Sequence, residues 1–233
     1  MGRVRNWLQP TGRDGTESVI VVGLGRFGTA VARTLVDLDI EVLGLDINRT
    51  LVNRWADELT ACRELDATDP AALQEIGVER FDVAVVAIGD NIEASILATA
   101  ALVDLGVGVV WTKAITAEHG RILERIGAHH VVFPEHEMGR RVAHVVSGHV
   151  VDYFQLDEDF VIAEVTAPDW AIDRTLADSS IRSSHGVTVV CVRHQGGHFT
   201  NAEAGTMIAD GDLLVVAGQK EQIRAFAEDA GGS

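Results

Sequence analysis

Three glycines and an arginine carry the clearest chemistry in this chain. Gly23-x-Gly25-x-x-Gly28 follows the apolar run 19–22, and Asp46 closes a second apolar run 18 residues after Gly28. Strand, glycine turn, helix, strand and acid in that order form the fingerprint of a nucleotide site. Gly23 permits the tight turn, Gly25 lets a phosphate approach the backbone, and Gly28 lets the helix pack on the sheet. The helix N-terminus then offers N–H groups and partial positive charge to an anion. Asp46 stands where an acid meets ribose hydroxyls. A Rossmann-like domain whose cleft has decayed to packing would show the same spacing. Arg26 adds a fork of donors and a fixed charge beside the phosphates, which suits a ligand richer in phosphate than a dinucleotide. The alternative for Arg26 is a side chain turned to solvent.

These residues need a sheet whose strands end at one edge. Between 18 and 134 short apolar runs alternate with helical patterns. The runs are 19–22, 41–45, 62–65, 83–88, 108–111 and 131–133, and helices are expected near 28–38, 49–59, 70–76, 91–105 and 116–126. This predicts an α/β fold, a Rossmann-like doubly wound parallel sheet buried on both faces. Ligands of such sheets lie beyond the carboxyl ends of the strands. Asp66, Ala67 and Thr68 follow the third strand and could meet a base. Ile88, Gly89 and Asn91 follow the fourth, and Lys113 follows the fifth. Asp69, Asp90 and Asn91 also suit helix caps without any ligand.

The remaining chain divides by pattern. Residues 1–17 read as a flexible leader and 135–150 as a bridging helix and linker. Residues 151–233 predict a small α+β lobe with strands at 160–165, 187–192 and 213–216, turns at Gly196-Gly197 and 208–212, and a closing helix at 219–228. Such a lobe is small for a dehydrogenase's substrate domain.

Composition excludes several classes. A net charge of −16 repels nucleic acid and anionic membranes. No apolar run reaches about 18 residues and no signal-peptide core opens the chain, so no membrane insertion and a cytoplasmic location are expected. Cys62 and Cys191 lie 129 positions apart in apolar segments and read as free thiols. The nine histidines, His129, His130, His136, His144 and His149 among them, show no metal-ligand spacing. No His–Asp or Tyr–Lys arrangement supports an NAD-dependent oxidoreductase, which stays a rival reading.

Gly23-Leu24-Gly25-Arg26-Phe27-Gly28, the run 86–89 before 91–95, Lys113-Ala114, the run 123–128 and Phe133-Pro134-Glu135 together resemble the RCK/KTN (regulator of K+ conductance) family. The similarity is strongest to the cytosolic regulatory subunits of bacterial Ktr/Trk-type potassium uptake systems, and it spans about 18–228. The resemblance implies a non-enzymatic gating subunit, peripheral to the cell membrane through a channel pore subunit, whose homodimers assemble into an octameric ring. It implies ATP or ADP, or NAD or NADH, in the Rossmann cleft. Gly23, Gly25, Arg26, Phe27 and Gly28 would form the phosphate loop and Asp46 would hold the ribose. Asp66, Ala67 and Thr68 would lie by the adenine, with Ile88, Gly89, Asn91 and Lys113 lining the rest. Arg26 takes the position that senses the γ-phosphate across the dimer. Glu124 takes that of a carboxylate binding a divalent cation or Na+. In the small lobe Ile181, Arg182 and His185 match a segment where some relatives bind cyclic di-AMP. An NAD(H)-sensing regulator of a cation/proton antiporter shares nearly all of these features.

Overall fold

A computed structural model of the chain describes residues 18–146, 151–157 and 159–230. The expected leader 1–17 and the linker 147–150 lie outside the described residues. The chain divides into two compact units, with the boundary in sequence between Glu135 and His136.

The first unit is built around short, valine-rich segments, chiefly β1, β4 and β5, that are too apolar to face water. β1 (Ser18–Val22), β2 (Glu41–Asp46), β3 (Ala61–Glu64), β4 (Val83–Val86), β5 (Val109–Lys113) and β6 (His130–Val132) form one parallel sheet in the order β3-β2-β1-β4-β5-β6. The intervening helices are α1 (Arg26–Asp37), α2 (Arg49–Trp55), α3 (Pro70–Glu75), α4 (Ile92–Asp104) and α5 (Ala117–Arg125). Val19 and Val21 enter one core with Leu24, Ala32, Val42 and Val52. Ile20 and Val22 enter another with Leu73, Val86, Ala98 and Leu102. Alternate residues of β1 thus feed opposite faces, as a doubly wound sheet requires. The chain steps outward from β1 through β2 to β3, then returns to the other side at β4. The switch point between β1 and β4 opens a crevice at their carboxyl ends.

α6 (Pro134–Val146) begins with proline at its first position, where no N–H is needed. The second unit holds β7 (Asp152–Gln155), β8 (Phe160–Thr166), α7 (Leu176–Ser179), α8 (Ile181–His185), β9 (Thr188–Arg193), β10 (Phe199–Asn201), β11 (Leu213–Gln219) and α9 (Lys220–Ala230). Its sheet is antiparallel, in the order β10-β9-β11-β8-β7. Val161, Ala163, Val165, Leu214 and Val216 share a core with Ile223, Phe226 and Ala227 of α9.

The expected strands of this lobe are present, but β7 and β10 join them as unpredicted edges. Neither carries an alternating apolar pattern, because edge strands of a one-sided sheet bury little. The segment 176–185 forms two short helices joined at Ser180, whose φ of 57° breaks the helical path. In the first unit β4 stops at Val86, two residues short of the expected 88, so Ala87 and Ile88 become part of the crevice wall.

Candidate functional site

The phosphate-type loop is set by backbone conformation. Gly23 adopts φ +95°, a left-handed region that strains any other residue. Its N–H donates to the Leu45 carbonyl at 2.8 Å, which ties the loop to the end of β2. A Cβ on Gly28 would stand 1.8 Å from the Gly23 carbonyl oxygen and 3.0 Å from the Ala87 Cβ, so glycine there is a packing requirement. Gly25 is different. Its φ of −74° suits any residue, and a Cβ there would have no protein atom within 4 Å. Gly25 caps α1 without a side chain, so the first-turn N–H groups of α1 receive no capping oxygen from it.

Asp46 is half-buried at the end of β2. One carboxylate oxygen accepts from the Leu24 N–H and the other from the Asn48 N–H, each at 2.7 Å. The acid therefore staples the glycine loop to the start of α2, and its remaining lone pairs are free for hydroxyls.

Asp66, beyond β3, accepts from the Thr68 N–H at 2.9 Å and the Thr68 hydroxyl at 2.7 Å. These bonds, the hydroxyl's first, hold its carboxyl below the ordinary range. Ala67 between them is buried in the core. Asn91 caps α4 by accepting from the Ala94 N–H at 3.0 Å, and Asp69 caps α3 through the Ala71 N–H at 2.9 Å. The capping alternatives for Asn91 and Asp69 are thus realised.

Lys113 ends β5 and is 9% exposed. Its Nζ lies 5.8 Å from the Phe27 ring centre, and a Cβ on Gly89 would sit 2.8 Å from it. The ammonium is therefore boxed between the first turn of α1 and the loop after β4. Its partner is Glu135 in α6, which accepts from Nζ at 2.5 Å. That hydrogen bond is the main reason the Glu135 carboxyl sits below its usual range, with a lesser pull from the Arg26 charge. Arg26 itself is exposed at the start of α1.

The structure thus gathers Gly23, Gly25, Arg26, Phe27, Gly28, Asp46, Asp66, Thr68, Ile88, Gly89, Asn91 and Lys113 at the carboxyl edge of one sheet. Glu124 lies further along the chain. It is the eighth of nine residues in α5, a helix that starts at the carboxyl edge and runs back along the sheet. About 10 Å of helix separates it from Ala117. No group of three His, Cys, Asp or Glu side chains able to hold a metal ion occurs among the described residues. The carboxylate beside Lys113 is Glu135, which the sequence marks as part of the family pattern and of a helix start but not of the crevice. Sequence reasoning also passed over His119, which is buried in α5, accepts from the Ile115 N–H at 3.4 Å, and is held below its ordinary pKa by burial.

In the second unit Ile181 is 2% exposed and faces the core, whereas Arg182 is exposed. His185 stacks on Trp170 at 5.3 Å, with Nε2 3.2 Å from an Asp229 carboxylate oxygen that also accepts from the Trp170 indole at 2.9 Å. A cavity of about 350 Å³ in this unit, lined by residues such as Arg193, His194 and Gly211, contains none of them. Among the described residues no helix is long and apolar enough to cross a membrane.

Comparison with known proteins gives this edge a context. Residues 19–134 match the TrkA-N domain and 160–231 the TrkA-C domain. The chain is 37% identical over 207 residues to Ktr system potassium uptake protein C of Bacillus subtilis, covering 88% of this chain and 94% of that one. It is 32% identical over 230 residues to Ktr system potassium uptake protein A of the same organism, covering 98% and 99%. In fold it is similar to the GsuK RCK domain, with a TM-score of 0.65 at 18% identity over 95% of this chain and 49% of that chain. A GsuK channel bound to NAD gives a TM-score of 0.62 at 17% identity, and this chain spans 42% of its length. The two matched domains and the extent of identity place the chain in the family of Ktr system potassium uptake proteins, RCK proteins built from a TrkA-N and a TrkA-C domain.

Proposed function

We propose that this protein is a nucleotide-sensing regulatory subunit of a potassium uptake system, without catalytic activity of its own. One observation carries the reading. At the switch point of the sheet, an α1 N-terminus without a side-chain cap is flanked by two cations, Arg26 and Lys113, so the crevice is built for a phosphate chain. Asp46 anchors the ribose end, and the open space at Gly25 admits the phosphates. Arg26, exposed at the helix start, reaches outward to the γ-phosphate of a nucleotide held by a second copy. ATP then favours one arrangement of the copies and ADP another, and an octameric ring passes that difference to a pore subunit in the membrane. A ligand moves such an equilibrium only by its difference in affinity for the two arrangements. A divalent cation or Na+ held by Glu124 at phosphates paired across two copies belongs to the same reading. Cyclic di-AMP at Ile181, Arg182 and His185, where two copies of the small lobe would meet, is a second ligand of this reading.

NAD or NADH in the same crevice, within a regulator of a cation/proton antiporter, is the second reading. Asp46 allows it and favours NAD over NADP among dinucleotides, because a carboxylate accepts from an unphosphorylated ribose. Thermal melts of the full chain with ATP, ADP, NAD, NADH and cyclic di-AMP separate the two. A large stabilisation by ATP and ADP supports the first reading, and one by NADH alone overturns it. Arg26→Ala should keep nucleotide binding but lose the difference in assembly between ATP and ADP, read by small-angle scattering. If that difference survives, Arg26 is not the sensor.

A further inference from the structure

Lys113 and Glu135 are unequal partners. The Lys113 side chain is 11% exposed and that of Glu135 is 68% exposed. A nearly buried ammonium without an anion is costly, whereas an exposed carboxylate returns to water at little cost. Lys113 therefore needs some anion at Nζ, and Glu135 is one it can exchange. The position of Nζ decides what the other anion is. Phe27 and Gly89 bound it, and they belong to the two elements that flank the crevice.

We infer that Glu135 is an internal competitor of the ligand. It occupies the ammonium of Lys113 when the crevice is empty and is displaced by the distal phosphate of a bound nucleotide. Glu135 is thus a specificity-determining residue that sets how much charge a ligand must bring. A group carrying one diffuse negative charge gains little by replacing a carboxylate. A terminal phosphate, with more charge and three acceptor oxygens, gains more. A ligand without an anion at that end leaves the pair intact. Displacement also breaks the bond from Lys113 of β5 to Glu135, so occupancy is felt at the second residue of α6.

This inference rests on the nucleotide reading above. The test is isothermal titration of the full chain with adenosine, ADP and ATP in EDTA, so that no divalent cation bridges the anions. Glu135→Gln should bind ADP and ATP about three- to tenfold more tightly than the parent chain, with adenosine unchanged. Glu135→Asp, whose shorter carboxylate falls short of Nζ, should tighten binding in the same direction. In a Lys113→Gln background the Glu135→Gln gain should vanish. Equal or weaker binding of ADP and ATP by Glu135→Gln overturns the competition while leaving the nucleotide reading intact. Absence of nucleotide binding by the parent chain overturns both.

Discussion

Two glycines of one loop should respond to alanine in opposite ways. At Gly28 the added Cβ meets the Gly23 carbonyl oxygen at 1.8 Å and the Ala87 Cβ at 3.0 Å. Both obstacles are short and anchored, one on the backbone and one on the loop after β4, so α1 must lift from the sheet. Overpacking of this kind costs about 1–3 kcal/mol. At roughly 4 °C per kcal/mol for a unit of this size, Gly28→Ala should lower the melting temperature by about 4–12 °C. At Gly25 the added Cβ meets nothing and φ is ordinary. The only loss is the preference for glycine over alanine at a helix cap, under about 1 kcal/mol. Gly25→Ala should therefore melt within about 4 °C of the parent chain. Its Cβ nonetheless fills the space through which a phosphate reaches the first turn of α1. Ligand at 100 times its dissociation constant stabilises the parent by about 2.7 kcal/mol, a shift of roughly 10 °C. Gly25→Ala should lose most of that shift. Melting curves of the three chains, each with and without saturating ADP, provide the assay. If Gly25→Ala keeps the full ligand shift, the empty space above Gly25 is not the phosphate path. If Gly28→Ala melts with the parent, the packing account of that glycine is wrong.

Three further outcomes follow from the geometry. Asp46→Ala removes the acceptors of the Leu24 and Asn48 N–H groups, so it should destabilise the chain by about 1–3 kcal/mol without any ligand, read by calorimetry. Gly89→Ala places a Cβ 2.8 Å from the end of a flexible side chain, Lys113 Nζ, so melting should hardly change while ADP affinity falls several-fold. The Arg141 guanidinium holds the Asp152 carboxyl below its usual range, chiefly through their hydrogen bonds. A depressed carboxylate stabilises the fold above its unfolded pKa and loses that contribution as pH falls through its folded value. The melting difference between parent and Asp152→Asn should therefore be present at neutral pH and shrink away as the pH falls below the ordinary carboxylate range.

The first unit was legible because its physics is local. A strand buried on both faces must be a short apolar run, and β1, β2 and β4 show such runs. A tight turn into a helix must carry glycine, and Gly23 and Gly28 do. The second unit was legible only where its sheet is buried. Phe199–Asn201 is exposed throughout and pairs along one edge, so nothing in its composition distinguishes it from a loop. The site shows the same division. Asp46 and Lys113 are read from strand ends, because topology fixes where strand ends lie. The pairing of Lys113 with Glu135 spans 22 residues and depends on β5 lying beside β6 and on α6 starting where it does. The segment 123–128 matches a family pattern, and Glu124 falls on the last turn of α5, where a role at the phosphates would depend on a second copy. A motif fixes which residues are neighbours in sequence; the direction of the helix fixes which end of the sheet they reach.

The two ends of the crevice differ in a way that bears on sensing. At the ribose end, Asp46 is held by two backbone N–H groups at 2.7 Å, and Gly23 by the Leu45 carbonyl at 2.8 Å. Those groups are fixed before any ligand arrives, so they supply affinity at no cost in rearrangement. They would do so equally for every adenine nucleotide and cannot report which is bound. At the other end, Arg26 is exposed and Lys113 is held by an exposed carboxylate. Side-chain ion pairs there can be exchanged, and the exchange depends on the charge of the incoming group. Under the proposed function, discrimination between ligands must come from contacts that one ligand makes and another does not. Only the second end has contacts of that kind, so substitutions at Asp46 should weaken all nucleotides together, and substitutions at Arg26, Lys113 and Glu135 should change their ratios.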